Sequence, residues 1–459
     1  MADKHQKNQQ QKLAFMEETK SEALKSSQQG NESAIARHKP ESSTTTEQLM
    51  EEILKRENLI QALKRVKENK GSPGIDQMKV EQLPVYLKEN WLEIRKLLLE
   101  GKYKPQPVKR VEIDKPDGGK RKLGIPTVMD RFIQQALLQV LQKQWDATFS
   151  PNSYGFRPRR SAHQAIEQAQ KYIKEGYEIV VDIDLEKFFD RVNHDLLMSK
   201  IAKRVEDKRV LKLIRGFLNA GVMENGLISI TEEGTPQGGP LSPLLSNLML
   251  DELDKELEKR GHKFCRFADD CNIYVKSEKA GQRVMESISK FITQKLKLKV
   301  NSAKSAVGKP KDRKFLGYSF SSKASGVKKR IAPKAIEKFK QKVRELTKRT
   351  TRISLKSMLY RLTLYIRGWK AYFHLCQTPS VLKDLDSWIR RRIRSFIWTS
   401  WKTIPNRHKQ LVKLGVNNKL ALTTARSHKG SWPLSQSKAV LVATPTAYFK
   451  SLGLPQLAA

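Results

Sequence analysis

Arg266-Phe267-Ala268-Asp269-Asp270-Cys271-Asn272-Ile273-Tyr274-Val275 sets two adjacent carboxylates between two apolar runs. Apolar residues on either side of a tight acidic tip predict a strand–turn–strand hairpin. Neighbouring like charges repel, so such a tip either lies in solvent or meets a cation. Mg²⁺ is the natural one, a hard ion that takes carboxylate oxygens. The hairpin by itself leaves both readings open, and partners elsewhere in the chain decide between them.

The surroundings are strongly cationic. The chain of 459 residues has 88 Lys and Arg against 48 Asp and Glu, a formal net charge of +40. That field attracts polyanions, so nucleic acid is the expected partner and an anionic membrane surface comes second. Cys265, Cys271 and Cys376 form neither a disulfide framework nor a CxxC pair, which suits a reducing cytoplasm. The polar N-terminus has no apolar h-region, which points away from secretion. No apolar run approaches the roughly 18 residues of a membrane span. The length suggests roughly two to four domains.

Met1 to Thr46 is rich in Gln, Ser, Thr and Lys and buries too little to offset its ordering entropy, so disorder is expected there, with a short helix near Leu13 to Met16 left open. From Glu47 the apolar residues Leu49, Ile53, Leu59, Leu63 and Val66 recur at helical spacing. Gly71-Ser72-Pro73-Gly74 breaks the chain, a second helix is predicted over Val85 to Glu100, and Val108–Ile113 and Lys120–Ile125 predict a hairpin. Lys109, Arg110, Lys115, Lys120, Arg121 and Lys122 edge that hairpin. Crowded cations of this kind either face a triphosphate or polyanion, or blunt an exposed edge strand. Tyr154-Gly155-Phe156-Arg157-Pro158-Arg159-Arg160 mixes aromatics and Arg on a Gly/Pro-shaped loop, a composition suited to bases and phosphates or to a packed loop. Glu178 to Asp184 predicts a buried strand with Asp182 and Asp184 on one face at its end. Gly234 to Pro243, dense in Gly and Pro, predicts a rigid loop that allows close approach to a ligand.

From Lys309 to the C-terminus there are 34 Lys and Arg and 5 Asp and Glu, a net of +29. Three amphipathic helices are predicted there, from Pro333, over Leu355 to Phe373, and over Ser380 to Trp401. The last carries Arg390, Arg391, Arg392 and Arg394 beside an apolar stripe. This reads as a basic helical module against nucleic acid, followed from Lys402 by short helices and loops.

Carboxylates at a strand end and at a hairpin tip could surround a pair of ions about 4 Å apart, which would clamp an attacking 3′-hydroxyl and a leaving pyrophosphate. That chemistry explains acids at the centre of a basic protein. With this arrangement in view, the chain from about Glu47 to Leu454 resembles the group II intron reverse transcriptase/maturase family, and most of all its compact bacterial group IIC type without an endonuclease. The motifs carrying the resemblance follow one another in the family's order. They are Gly71-Ser72-Pro73-Gly74-Ile75-Asp76, Leu123-Gly124-Ile125-Pro126-Thr127, Tyr154-Gly155-Phe156-Arg157-Pro158, the stretch Val181 to Asp190, Thr235-Pro236-Gln237-Gly238-Gly239-Pro240-Leu241-Ser242-Pro243, Phe267-Ala268-Asp269-Asp270, and Phe315-Leu316-Gly317-Tyr318.

The resemblance implies an α+β right-hand polymerase fold: a disordered extension over 1–46, fingers and palm over 47–325, a helical thumb (maturase domain X) over 326–400 and a DNA-binding domain over 401–459. It implies that Asp184, Asp269 and Asp270 are catalytic and hold two Mg²⁺ ions. Asp184 is preferred to Asp182 because the family places an aromatic five residues after the ligand, where Phe189 stands. Lys115, Arg121, Phe189, Gln237 and Gly238 would bind the dNTP, with Phe189 acting either as a gate against the ribose 2′-hydroxyl or as a core aromatic. Arg157, Arg159, Arg160, Arg390, Arg391 and Arg394 would contact nucleic acid. Implied partners are intron RNA, RNA template with DNA primer, target DNA and dNTPs, in a bacterial cytoplasm and at the nucleoid. The implied function is to copy group II intron RNA into cDNA and to assist its splicing and retrohoming. A splicing-only maturase, an RNA-dependent RNA polymerase and a retron-type enzyme are the rival readings. Three departures stand out: Phe267 replaces the usual Tyr of the acidic box, Gln77 follows Asp76 where Gly is frequent, and no His/Cys cluster for a terminal endonuclease follows Lys402.

Overall fold

A computed structural model describes residues 48–114, 119–224, 227–229, 234, 238–323, 326–348 and 353–458. The expected disorder of the N-terminal extension, and the site residues Lys115 and Gln237, lie outside the described residues. The chain divides into two compact units, residues 1–165 with 181–307, and residues 166–180 with 308–459.

The first unit opens with α1 (Leu49–Ile53), α2 (Arg56–Asn69) and α3 (Leu83–Leu99). Leu59, Leu63 and Val66 of α2 are buried, as their helical spacing requires. The basic hairpin is β1 (Val108–Asp114) and β2 (Lys120–Ile125), paired antiparallel with Ile113 opposite Arg121. Next is α4 (Val128–Trp145), which is buried over most of its first three turns. Thr127 caps it, its Oγ1 accepting from Asp130 N at 3.1 Å.

α5 (Ala162–Lys174), most of which belongs to the second unit, leads to β3 (Ile179–Ile183), α6 (His194–Ala202), α7 (Lys208–Asn219), β4 (Val222–Glu224) and β5 (Leu227–Ser229). Then come α8 (Ser242–Lys259), β6 (Lys263–Phe267), β7 (Asp270–Val275), α9 (Glu278–Lys295) and β8 (Ala306–Gly308). Two four-stranded sheets result, ordered β2-β1-β4-β5 and β6-β7-β3-β8. The second sheet has the buried strand β3 beside the acidic hairpin β6–β7. β3 stops at Ile183, so Asp184 stands one residue past its end rather than on the strand with Asp182.

Asp130 is a buried acid held by three neutral donors: Tyr103 OH at 2.9 Å, Thr127 Oγ1 at 2.8 Å and the Gln106 N–H at 3.1 Å. Burial pushes its carboxyl up to about 6 despite those bonds. The native state therefore holds this proton more tightly than the unfolded chain does. Stability falls as pH rises between the unfolded value near 4 and about 6, by about 3 kcal/mol in total. Urea denaturation at pH 4.5 and 6.5 is expected to show this slope reduced in Asp130→Asn, and an unchanged slope would refute the assignment.

The second unit contains β9 (Tyr318–Lys323) and β10 (Gly326–Ile331), a two-stranded antiparallel ribbon. Three long helices follow: α10 (Pro333–Leu346), α11 (Leu355–Tyr372) and α12 (Pro379–Ser400). Their core is Phe339, Val343, Met358, Leu362, Ile366, Leu385, Ile389 and Ile393, joined by Phe449 and Leu457 from the end of the chain. A smaller core gathers Trp398, Leu411, Val416, Ala421, Leu434 and Val440 from α12 and the short helices α13 (Ile404–Lys413), α14 (Asn418–Ala425), α15 (Ser431–Leu434) and α16 (Lys438–Ala443), with α17 (Thr446–Ser451) after them. Among the described residues no helix is long and apolar enough to cross a membrane.

Candidate active site

The acidic turn is built by the backbone before it is built by side chains. Ala268 adopts φ +57°, a conformation few non-glycine residues take, and Phe267 pairs with Asp270 across the tip. Arg266, on β6, makes that turn possible. Its guanidinium is fully buried and grips Asp254 of α8 through Nε at 2.7 Å and Nη2 at 2.5 Å. Nη1 donates to Asn247 Oδ1 at 3.1 Å and to the Ala268 carbonyl at 2.9 Å, and Nη2 also donates to Ser153 Oγ at 2.7 Å. All five guanidinium N–H groups are thereby committed.

The Tyr154–Pro158 motif is a second brace. The Tyr154 N–H donates to the Arg266 carbonyl at 2.8 Å, and Asn247 Nδ2 donates to the Gly155 carbonyl at 2.9 Å. Gly155 is so close to the turn that a Cβ there would lie 2.2 Å from Ala268 N. Only glycine fits. Phe156 stays exposed and tilts against Phe267, with ring centroids 6.4 Å apart.

Asp184, half-buried, is fixed by its backbone. Its N–H donates to Ser305 Oγ at 3.0 Å and its carbonyl accepts from the Asn301 N–H at 2.8 Å. Asp269 is half-buried and Asp270 exposed. Burial first, then the charge of Asp184, hold the Asp269 carboxyl above its ordinary value, while its own backbone N–H, Arg121 and Lys304 pull the other way. The charge of Asp184 and that of Arg121 on β2 therefore both bear on the Asp269 carboxylate. Burial raises the Cys271 thiol, with the charges of Asp254, Asp182 and Asp270 adding to the effect.

Three carboxylates are a hard oxygen donor set that fits Mg²⁺. The excess negative charge felt by Asp269 is what a divalent ion would relieve. Among the described residues no three His, Cys, Asp or Glu side chains are drawn closely around one point.

Other expected site residues fall into two groups. Arg121 is exposed on β2, and Phe189 is half-buried on a short 3-10 turn, edge-to-face with the buried Phe188 at 5.2 Å. Arg159 and Arg160 are exposed, Arg160 lying over the Tyr154 ring at 5.6 Å. Arg390 and Arg391 are half-buried, with Arg391 over Trp432 at 4.0 Å.

Arg157 and Arg394 are corrections. Each is 9% exposed. Arg157 is bound to Asp146 at 2.8 Å and to the carbonyls of Ser150 and Ser153 at 2.6 and 3.0 Å. Arg394 is bound to Thr444 Oγ1 and O, both at 3.0 Å. Neither side chain is available to nucleic acid. Gly238 needs restating as well: with φ +137° it sits where a Cβ would lie 2.6 Å from the Gly124 carbonyl of β2. Its small size serves that internal approach. Sequence reasoning assigns no role at the turn to Arg266, Asn301, Lys304 or Ser305, and of these only Arg266 carries a signal, as a cation close to the acidic pair.

Residues 113–320 match the family described as reverse transcriptase (RNA-dependent DNA polymerase), and residues 336–415 match the maturase-specific domain of group II introns. Protein YkfC of Escherichia coli is 33% identical over 320 residues, covering 61% of this chain and 84% of that protein. The group II intron-encoded protein LtrA of Lactococcus lactis is 31% identical over 311 residues, 53% of this chain and 52% of LtrA. A putative COX1/OXI3 intron 2 protein of Saccharomyces cerevisiae is 31% identical over 250 residues, 52% of this chain and 28% of that protein. The chain thus spans most of YkfC but about half of LtrA.

Proposed function

The chain belongs to the group II intron reverse transcriptase/maturase family, and from that premise we propose that it copies intron RNA into DNA at the acidic turn and binds the same RNA to assist splicing. The observation that carries the catalytic half is the sheet order β6-β7-β3-β8, which sets the strand ending before Asp184 beside the hairpin that carries Asp269 and Asp270. Asp184, Asp269 and Asp270 would hold the metal. Two Mg²⁺ ions, when bound, would activate the primer 3′-hydroxyl and neutralise the leaving pyrophosphate.

The protein's own residues do the rest. Arg121 offsets triphosphate charge, aided in this reading by Lys115 and Gln237. The turn held by Arg266 and Gly155 presents Asp269 and Asp270 in fixed geometry, which matters because a misplaced ligand loses rate steeply. The basic helices α10 to α12 form the thumb, and the residues after Ser400 a DNA-binding domain that would engage target DNA. A set of three intact carboxylates supports polymerase activity over a splicing-only maturase, since acids held against mutual repulsion cost stability.

Phe189 is the proposed sugar gate. Phe188 fills the core and Phe189 is left half-buried beside it, so the second aromatic is not needed for packing. Phe189→Ala is expected to lower discrimination against NTPs by roughly a hundredfold, the order an apolar wall supplies against an added hydroxyl. Single-nucleotide incorporation with dNTP and NTP pairs measures this, and unchanged selection would return Phe189 to the core.

The central experiment is primer extension on an RNA template with dNTPs and Mg²⁺. Extension by the wild type and not by Asp269→Asn is the expected result. Absence of wild-type extension, with retained intron RNA binding, would favour the splicing-only reading.

A further inference from the structure

The last 73 residues carry an extreme charge imbalance. From Ser387 to Ala459 there is no Asp or Glu, while 13 Lys and Arg are present. No cation in this stretch can be neutralised by an acid of its own segment. Within it lies a cavity of about 540 Å³ lined by Trp398, Ile404, Arg407, Arg426, His428 and Lys429, with Thr399, Ser427 and Ser431 at its edges. This volume is within the roughly 300–1,000 Å³ of small-ligand sites.

The cavity has two chemically distinct sides. One is aromatic and partly apolar: Arg407 lies over the Trp398 ring at 5.1 Å, with Ile404 exposed at the start of the same helix, α13. Among the described residues Arg407 Nε is buried without a hydrogen-bond partner, a donor that calls for an acceptor. The other side carries the cations Arg426 and Lys429, with the His428 ring between them in sequence, at the end of α14 and on the loop that leads to α15. A guanidinium plane backed by indole suits the face of a nucleobase, and a cationic rim suits its phosphates.

We propose that this cavity receives a single unpaired nucleotide of a bound nucleic acid, its base against Arg407 and Ile404 and its flanking phosphates on Arg426 and Lys429. The inference rests on reading the C-terminal residues as a nucleic-acid-binding domain and adds to it the chemical form recognised. A uniformly basic surface would bind a paired backbone equally well. A cavity with a stacking wall rewards an extrahelical nucleotide.

The test uses the full chain carrying Asp269→Asn, so that binding is read without catalysis. Fluorescence anisotropy compares a DNA hairpin with one bulged nucleotide against the same hairpin fully paired, each also as RNA. The bulged form is expected to bind about tenfold more tightly, and the DNA and RNA arms show which sugar the cavity takes. Thr399→Trp fills the cavity without changing charge. It is expected to erase the preference while leaving paired-hairpin affinity and its salt dependence unchanged. Arg426→Ala with Lys429→Ala is expected to weaken binding and to reduce the salt slope by about 1 for each phosphate no longer engaged. Circular dichroism checks that both variants are folded. Equal affinity of the wild-type chain for bulged and paired hairpins overturns the cavity proposal alone. If the double Ala variant in addition changes no affinity, the DNA-binding reading of this region falls with it.

Discussion

Asp269→Asn is expected to reduce primer extension at least about a thousandfold, about 4 kcal/mol of transition-state stabilisation, while leaving the fold as stable as the wild type or slightly more so. The two halves of this result follow from one observation. Asp269 is half-buried, and both burial and the charge of Asp184 work against its ionised form. A group whose charge is unfavourable in the folded chain contributes nothing to folding by being charged, so the neutral amide relieves repulsion and costs no stability. The same charge is indispensable for holding a divalent ion. The opposite pattern, in which activity falls only in step with melting temperature, would make Asp269 a structural residue. Metal linkage gives a second readout independent of turnover. A ligand that binds only the native state raises its stability as RT ln(1 + [L]/Kd). Titration with Mg²⁺ is therefore expected to raise the melting temperature of the wild type and to leave that of Asp269→Asn nearly flat. Parallel curves for the two proteins would remove the metal from this turn.

The legible and illegible parts of this site differ for physical reasons. The acidic hairpin could be read because alternation sets strand faces, and the turn came where two charges interrupted it: β6 and β7 flank Ala268 and Asp269 as the pattern requires. The buried strand before Asp184 was equally plain from its run of Ile and Val. The family's spacing to the aromatic at Phe189, not anything in the strand pattern itself, selected Asp184 over Asp182, since both share one face there.

Arginines were the least legible residues. A guanidinium has the same sequence signature whether it faces phosphate or is buried with its donors satisfied, so Arg157 and Arg394 were expected at the surface and lie inside. What fixes them are carbonyls such as those of Ser150 and Thr444, and backbone acceptors leave no trace in composition. The glycines misled in a related way. Gly238 was read as room for a ligand, whereas the Gly124 carbonyl fills the space it leaves, and Gly155, read as shaping a loop, is closed over by Ala268. Close backbone approach was the correct requirement, and the protein itself is what approaches.

Arg266→Ala is expected to destabilise the first unit by about 3–5 kcal/mol, the cost of leaving a buried charge without its partner. Arg266 and Asp254 are both fully buried, and burial alone pushes the Asp254 carboxyl upward while the guanidinium gripping it works against that shift. Urea denaturation followed by circular dichroism measures the loss. The pair is not expected to be necessary for stability as such, because well-packed apolar residues can replace a buried ion pair at little cost. Arg266→Met with Asp254→Leu is therefore expected to recover most of the lost stability. Primer extension is expected to remain impaired in that double variant. The Ala268 carbonyl, Asn247 Oδ1 and Ser153 Oγ would still lack the donors that Arg266 supplies at 2.9, 3.1 and 2.7 Å, and Ala268 holds its positive φ directly before Asp269. Stability and activity should thus come apart, with the melting curve restored and kcat still low. Recovery of both would show that Arg266 merely fills the space beneath the turn. Recovery of neither would show that the hairpin needs a charged core for reasons of folding. The expected split identifies Arg266 as the positioning residue of the acidic turn, acting on the chemistry only through the backbone that carries Asp269 and Asp270.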